Sequence, residues 1–143
     1  MMKKYAVVYW SGTGNTQTMA GLVAEGIGSA GGEAEVLTAA DFSADRVKDY
    51  DGFAFGCPAM GAEVLEESEF APMFDAVKPL LKGRPVVLFG SYGWGDGEWM
   101  RSWEEDCREA GCILASESVT ANGAPEGEAE AACRSLGVAL AGA

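Results

Sequence analysis

The segment Ser11-Gly12-Thr13-Gly14-Asn15-Thr16 combines hydroxyls at Ser11, Thr13 and Thr16 with the Asn15 amide and a pair of glycines. It follows an apolar run and precedes a helical pattern, so it is a loop delivered to a helix N-terminus. Unpaired N–H groups and a partial positive charge at such a terminus favour an anion. No lysine or arginine occurs between Lys4 and Arg46, so this loop meets an anion with neutral donors alone. A triphosphate loop needs a lysine that reaches the outer phosphates, and none is present. A dinucleotide loop needs a third glycine for close helix packing, and Gln17 stands in that place. A single terminal phosphate fits best; the bland alternative is a small polar turn with no ligand.

Two further loops carry residues that no core periodicity explains. In Ser91-Tyr92-Gly93-Trp94-Gly95-Asp96-Gly97, Trp94 stands between glycines, placed to stack on a planar ligand. The flanking glycines let backbone N–H groups approach a ring edge. In Cys57-Pro58-Ala59-Met60-Gly61-Ala62-Glu63, the polarizable Met60 can cover the ligand's other face. Gly61 can adopt positive φ, which gives the peptide after it two orientations, and Glu63 can accept a hydrogen bond from a ring N–H. A phosphate socket joined to a slot between Met60 and Trp94 suits a flavin mononucleotide (FMN).

The chain has no histidine, which removes Ser-His and Cys-His nucleophilic catalysis. Cys57, Cys107, Cys112 and Cys133 form no C-x-x-C pair and lack histidines to complete a zinc set. They are expected as reduced cysteines, buried or partly buried. No metal site is expected.

These loops need elements to position them, and apolar runs alternate with helical patterns along the chain. Tyr5–Trp10, Glu33–Thr38, Gly52–Cys57, Pro85–Gly90 and Cys112–Val119 read as strands. Met19, Leu22, Val23, Ile27 and Ala30 share one helix face, and Gly31-Gly32 ends that helix. Asp41 or Ser43 is expected to cap a short helix running to about Lys48, and Ser68 a helix ending around Leu81. Trp99, Trp103, Cys107 and Ala110 mark a further helix ended by Gly111; Ala129, Ala132, Cys133, Leu136 and Leu140 mark a terminal one. Alternation of this kind implies a parallel sheet with helical crossovers. The first, third and fourth strands should be central, with ligands at the strands' carboxyl ends.

At 143 residues the chain is read as one domain, residues 1–143, with an ordinary share of apolar residues, 48%. No apolar run reaches the length of a membrane helix, and the N-terminus shows no signal-peptide cleavage pattern. Cytoplasm is the expected compartment. A net charge of −12 argues against nucleic acid or an anionic membrane as partner, and for basic protein surfaces.

Taken together, Ser11–Thr16, Pro58–Gly61, Glu63-Val-Leu-Glu-Glu-Ser-Glu-Phe70 and Phe89-Gly-Ser-Tyr-Gly-Trp-Gly-Asp-Gly97 resemble the signature segments of flavodoxins. The resemblance covers essentially the whole chain and is greatest to the short-chain group of anaerobic bacteria. It implies a three-layer α/β sandwich whose five-stranded parallel sheet has order 2-1-3-4-5, with helices on both faces. It further implies that Ser11, Gly12, Thr13, Gly14, Asn15 and Thr16 hold the phosphate of FMN, with Ser91 adding a hydroxyl. Pro58 and Tyr92 belong to the same cofactor loops, and Ala59 and Asn122 lie near the ribityl chain. Met60 and Trp94 sandwich the ring, while Glu63 and the Gly93–Gly95 backbone meet its pyrimidine edge. Gly61 turns its carbonyl toward N5 on reduction, and Ala62 stands where some relatives carry a polar residue. The implied function is a low-potential carrier of single electrons on non-covalent FMN, with a stable semiquinone, docking as a monomer with basic patches of redox partners. Glu63, Glu66, Glu67, Glu69, Asp96 and Glu98 are expected around the ring as an acidic rim. The alternatives are an FMN-dependent NAD(P)H:quinone reductase, a phospho-acceptor domain and a non-redox FMN store. The phospho-acceptor reading lacks acids at the first and third strand ends, where Tyr9-Trp10-Ser11 and Cys57-Pro58 stand.

Overall fold

The computed structural model describes residues 3–60, 64–93, 95 and 97–143. Among these residues, strands Lys4–Tyr9 (β1), Glu33–Thr38 (β2), Gly52–Gly56 (β3), Pro85–Tyr92 (β4), Ile113–Leu114 (β5) and Val119–Asn122 (β6) are interspersed with four α-helices. The helices are Asn15–Ser29 (α1), Phe70–Val77 (α2), Glu98–Glu109 (α3) and Glu128–Ala141 (α4). All strand pairs are parallel, in the order β2-β1-β3-β4-β5, with β6 also paired to β4. The expected strand order and the central place of the first, third and fourth strands are borne out.

Successive strand residues point to opposite faces, and that alternation divides the core in two. Tyr5 and Val7 of β1, with Ala54 and Val87 beside them, bury Met19, Val23 and Ile27 of α1 and Cys133, Leu136 and Leu140 of α4. Ala6, Val8, Phe53 and Phe55 face the other way, onto Phe70 and Phe74 of α2 and Trp99, Trp103 and Cys107 of α3. All four cysteines are buried free thiols, as expected, and burial pushes Cys57 up to about 12 and Cys133 to about 11. At the outer strand β2, Glu35 accepts from Tyr50 at 2.5 Å and pairs with Arg46 at 3.2 Å.

The close of α1 follows from its sequence. Gly31, at φ 91°, donates to Gly28, and Gly32 donates to Ile27. This is the pair of hydrogen bonds that satisfies the last carbonyls of a helix through a left-handed glycine.

Three expectations change. The fifth strand is interrupted: β4 pairs Val86 with Leu114 and Phe89 with Val119. Between these pairs β4 advances by fewer residues than its partner, so Ala115–Ser118 bulges outward, and the Ser118 hydroxyl bonds Glu104 at 2.7 Å. The segment before Lys48 is a 3-10 helix, Ala44–Asp49; Ser43 precedes it without a side-chain cap bond, and the Asp41 carboxylate accepts from Thr38 instead. Ser68 does not cap α2. Its hydroxyl donates to the Glu66 carboxylate, and Glu66 does the capping.

Candidate functional site

The C-terminal ends of β1, β3 and β4 open onto a cavity of about 270 Å³. One wall is the loop before α1, where Gly12, Thr13 and Asn15 face the space. Gly14 adopts φ 98° as the residue preceding α1 and supplies no side-chain cap, a left-handed conformation that glycine takes without strain. The Ser11 hydroxyl accepts from the Gly14 N–H at 3.0 Å and the Gln17 N–H at 3.3 Å. Among the described residues, none accepts from the N–H groups of Asn15 and Thr16. The first turn of α1 holds no acid, so nothing there competes with an incoming anion for the helix N-terminus.

The opposite wall is the loop after β3, with Pro58, Ala59 and Met60 half-buried along it. The Ala59 N–H donates to the Ser91 carbonyl at 3.0 Å and fastens this loop to β4. Ser91, Tyr92 and Gly93 form the floor. Among the described residues, none that lines the cavity is charged, so what they offer a bound phosphate is backbone N–H groups and hydroxyls.

The cavity therefore brings together Gly12, Thr13, Asn15, Pro58, Ala59, Met60, Ser91, Tyr92 and Gly93 from the expected set. Thr16 is buried behind the loop, where its hydroxyl lies 3.0 Å from that of Ser91. Gly95 is exposed, at φ 91°. Asn122 ends β6 and lines a neighbouring polar groove, while Gly123 beside it lines the cavity. Gly61, Ala62, Glu63, Trp94 and Asp96 lie outside the described residues.

Two lining residues were not anticipated. Trp10, read as the end of a strand, is half-buried in the cavity wall and donates its indole N–H to Glu69 at 3.1 Å. Gly12 crosses its ring closely enough that a Cβ there would stand 3.1 Å from the indole. Gly123 carries no side chain and gives no chemical signal in the sequence. Trp99, expected in the core, is buried and donates to the Cys57 carbonyl at 3.1 Å.

Glu66 is also recast. It was expected in an acidic rim, but it is buried with its carboxylate in four hydrogen bonds. Burial opposes its ionisation, yet the Ser68 hydroxyl and the N–H groups of Phe70, Glu69 and Ser68 outweigh that and hold it at about 2. Glu67, Glu69 and Glu98 are exposed.

A parallel sheet wound in this order, with an uncharged anion cradle and an apolar slot at its switch point, defines a mononucleotide-binding α/β protein of flavodoxin-like fold. The flavodoxin family model matches residues 7–137. A flavodoxin from Clostridium beijerinckii is 44% identical over 135 residues, covering 94% of this chain and 97% of that protein. One from Megasphaera elsdenii is 42% identical over 135 residues, covering 94% of this chain and 96% of its own length. The solution structure of the two-electron reduced Megasphaera elsdenii flavodoxin superposes with a TM-score of 0.89, covering 97% of this chain and 99% of that one. The chain belongs to the flavodoxin family, of the short-chain anaerobe type. It is an electron-transfer protein that uses bound FMN, not an enzyme with a substrate of its own.

Proposed function

We propose that the cavity is the FMN site and that Ser11–Thr16 anchors the phosphate. The observation that carries this reading is the uncharged cradle at the start of α1: N–H donors without acceptors among the described residues, beside the exposed Thr13 and half-buried Asn15. Bound there, FMN supplies a centre that takes up and releases single electrons. The residues bind and orient it. Gly12 and Gly14 leave the backbone bare for close approach, Ala59 and Asn122 flank the ribityl chain, and Pro58 and Tyr92 shape the walls. Met60 and Trp94 cover the ring faces and exclude water, while Glu63 and the Gly93–Gly95 backbone hold its polar edge. Gly61, followed by Ala62, would offer its carbonyl to a protonated ring nitrogen.

Exposed acids around this opening favour redox partners with basic patches, met in small, fast, salt-sensitive encounters. We assign the chain to a single FMN-binding domain, working as a monomer in the cytoplasm. No helix among the described residues is long and apolar enough to cross a membrane.

The test is a comparison of FMN with riboflavin on the apoprotein by flavin fluorescence quenching. FMN is expected to bind at least a hundredfold more tightly, because riboflavin lacks the group the loop holds. Equal binding of the two would overturn the phosphate assignment.

A further inference from the structure

Helix α3 closes as α1 does. Gly111, at φ 85°, donates to the Arg108 carbonyl at 3.0 Å, and Cys112 donates to the Cys107 carbonyl at 3.0 Å. In such a turn the residue after the glycine folds back onto the last turn of the helix, and the two side chains commonly touch. Both are cysteines here, and both enter the core under α2 and α3. Fixed bond lengths on either side of the 3.0 Å contact hold their α-carbons within about 7 Å, the span a disulfide can bridge. The sulfurs are hydrogen-bond partners of each other. The turn itself is pinned to the start of β4: Gly83 donates to Gly111 at 2.9 Å, and Ile113 donates to Arg84 at 3.0 Å.

The two thiols are not equivalent. Cys107 is wholly buried, whereas Cys112 is 8% exposed. A hydrogen bond from the Cys107 thiol favours the Cys112 thiolate and pushes Cys112 down from the ordinary thiol range, against its burial. The same bond, with burial, pushes Cys107 up. Lys78, held by Asp106 at 3.0 Å, favours ionisation of both thiols, and Asp106 opposes it. Cys112 is therefore the nucleophile, and Cys107 the thiol that follows it. The other two cysteines stand apart: Cys57 Sγ accepts from Glu66 at 3.3 Å at the end of β3, and Cys133 lies on the other face of the sheet. Among the described residues no three His, Cys, Asp or Glu side chains gather, so the pair points to sulfur–sulfur chemistry and not to a metal ion.

We propose that Cys107 and Cys112 form a closable dithiol at the end of α3, a modification site that hydrogen peroxide converts to an intramolecular disulfide. The Cys112 thiolate attacks one peroxide oxygen and the O–O bond breaks. Cys112 becomes a sulfenic acid, and the other oxygen leaves as water after taking up a proton. The Cys107 sulfur then attacks the Cys112 sulfur; its proton and the expelled hydroxide leave as a second water. In sum, two thiols and one hydrogen peroxide give one disulfide and two waters, and an added dithiol reductant reverses the closure. Ile113, the next residue, pairs with Pro85 at the start of β4, so the dithiol lies at the opposite end of the sheet from the cavity. The proposal is therefore independent of what the cavity binds.

The experiment treats the full chain, with FMN added, with hydrogen peroxide in the dark. Remaining thiols are then alkylated under denaturing conditions, and the protein is digested with trypsin and analysed by mass spectrometry. Arg108 is the only lysine or arginine between the two cysteines, so cleavage there separates them unless a disulfide holds the fragments together. The expected result is loss of two of the four thiols, with fragments 102–108 and 109–134 linked until dithiothreitol is added. Cys133→Ala should keep the linkage, which assigns it to Cys112, the other cysteine of the second fragment. Cys107→Ser should stop at a Cys112 sulfenic acid that dimedone traps, and Cys112→Ser should leave the buried Cys107 unmodified. If either serine variant does not fold, the wild-type linkage and Cys133→Ala decide. Four surviving thiols, fragments that separate without reductant, or a linkage lost in Cys133→Ala would each overturn the proposal.

Discussion

Thr16 and Ser91 share a hydrogen bond across the base of the site, each almost wholly out of water. Ser91→Ala removes that bond and leaves the Thr16 hydroxyl only the residue-91 N–H, which donates to it at 3.4 Å; losing one buried hydrogen bond costs about 0.5–1.5 kcal/mol net. Urea unfolding is expected to show that loss for Ser91→Ala. The double variant with Thr16→Val should lose less than the sum of the single changes, since both remove the same bond. Glu66 supplies a second test. Its folded carboxyl lies at about 2 against an ordinary 4.5, so the stability it contributes is fully present above the ordinary value. That contribution fades as pH falls from there toward about 2. The stability gap between wild type and Glu66→Gln, measured by urea midpoints, should therefore be widest near neutrality, narrow below about pH 4.5 and close near pH 2. The cradle itself was readable because Ser11, Thr13 and Asn15 declare donors by type and Gly14 declares a turn. The partners of Ser11, Thr16 and Glu66 were not, because side-chain direction follows from contacts distant in sequence, such as that of Thr16 with Ser91. Trp10 was missed for a related reason: its apolar neighbours imitate a strand, and only the end of pairing at Tyr9 turns it into a wall.

Helices α1 and α4 lie against one another at the positions of two glycines. A Cβ on Gly26 would meet the Arg134 carbonyl oxygen at 2.0 Å, and one on Gly137 the Val23 oxygen at 2.1 Å. These contacts are with backbone, which cannot rotate aside. Gly26→Ala and Gly137→Ala are expected to lower stability by about 1–3 kcal/mol, the usual cost of overpacking. Gly21 and Gly28 occupy the outer face of α1, with nothing within 4 Å of a Cβ. Alanine there should raise stability by about 0.5–1 kcal/mol through helix propensity. Denaturant midpoints of the four variants, split by sign, check both statements. Periodicity made α1, α3 and α4 legible, and β-branched and aromatic runs did the same for β1, β3 and β4. The fifth strand misled because Cys112–Val119 has strand composition at both ends, while its register is set by β4. A polar Ser116-Glu117-Ser118 centre is compatible with a strand or a bulge, and Glu104 on α3 holds the bulge by binding Ser118. The Ser68 reading failed because a helix end takes whichever acceptor reaches it, and Glu66 reaches further.

The whole molecule is electrically lopsided. The loops at 10–17, 57–69, 91–98 and 122–128 contain no lysine or arginine, whereas Lys3, Lys48, Lys82 and Arg84 lie near the opposite ends of the strands. Electron transfer to a basic redox protein, followed by stopped flow, should slow as ionic strength rises toward and beyond about 0.15 M, where the Debye length is about 8 Å. Added FMN should raise the melting temperature, since a ligand at a hundred times its Kd stabilises by about 2.7 kcal/mol. The interrupted fifth strand has a consequence for life at high concentration. A long flat edge is a template on which a neighbouring chain can add a strand. Here one edge carries Glu33 and Glu35, with Glu35 paired to Lys4 and Arg46, and the other is cut short by its bulge. Deleting Ser116 and Glu117 would bring Val119 into step with Leu114 along β4 and create a continuous rim. Light scattering of that variant should report strand-to-strand filaments or dimers under conditions where the parent chain stays dispersed.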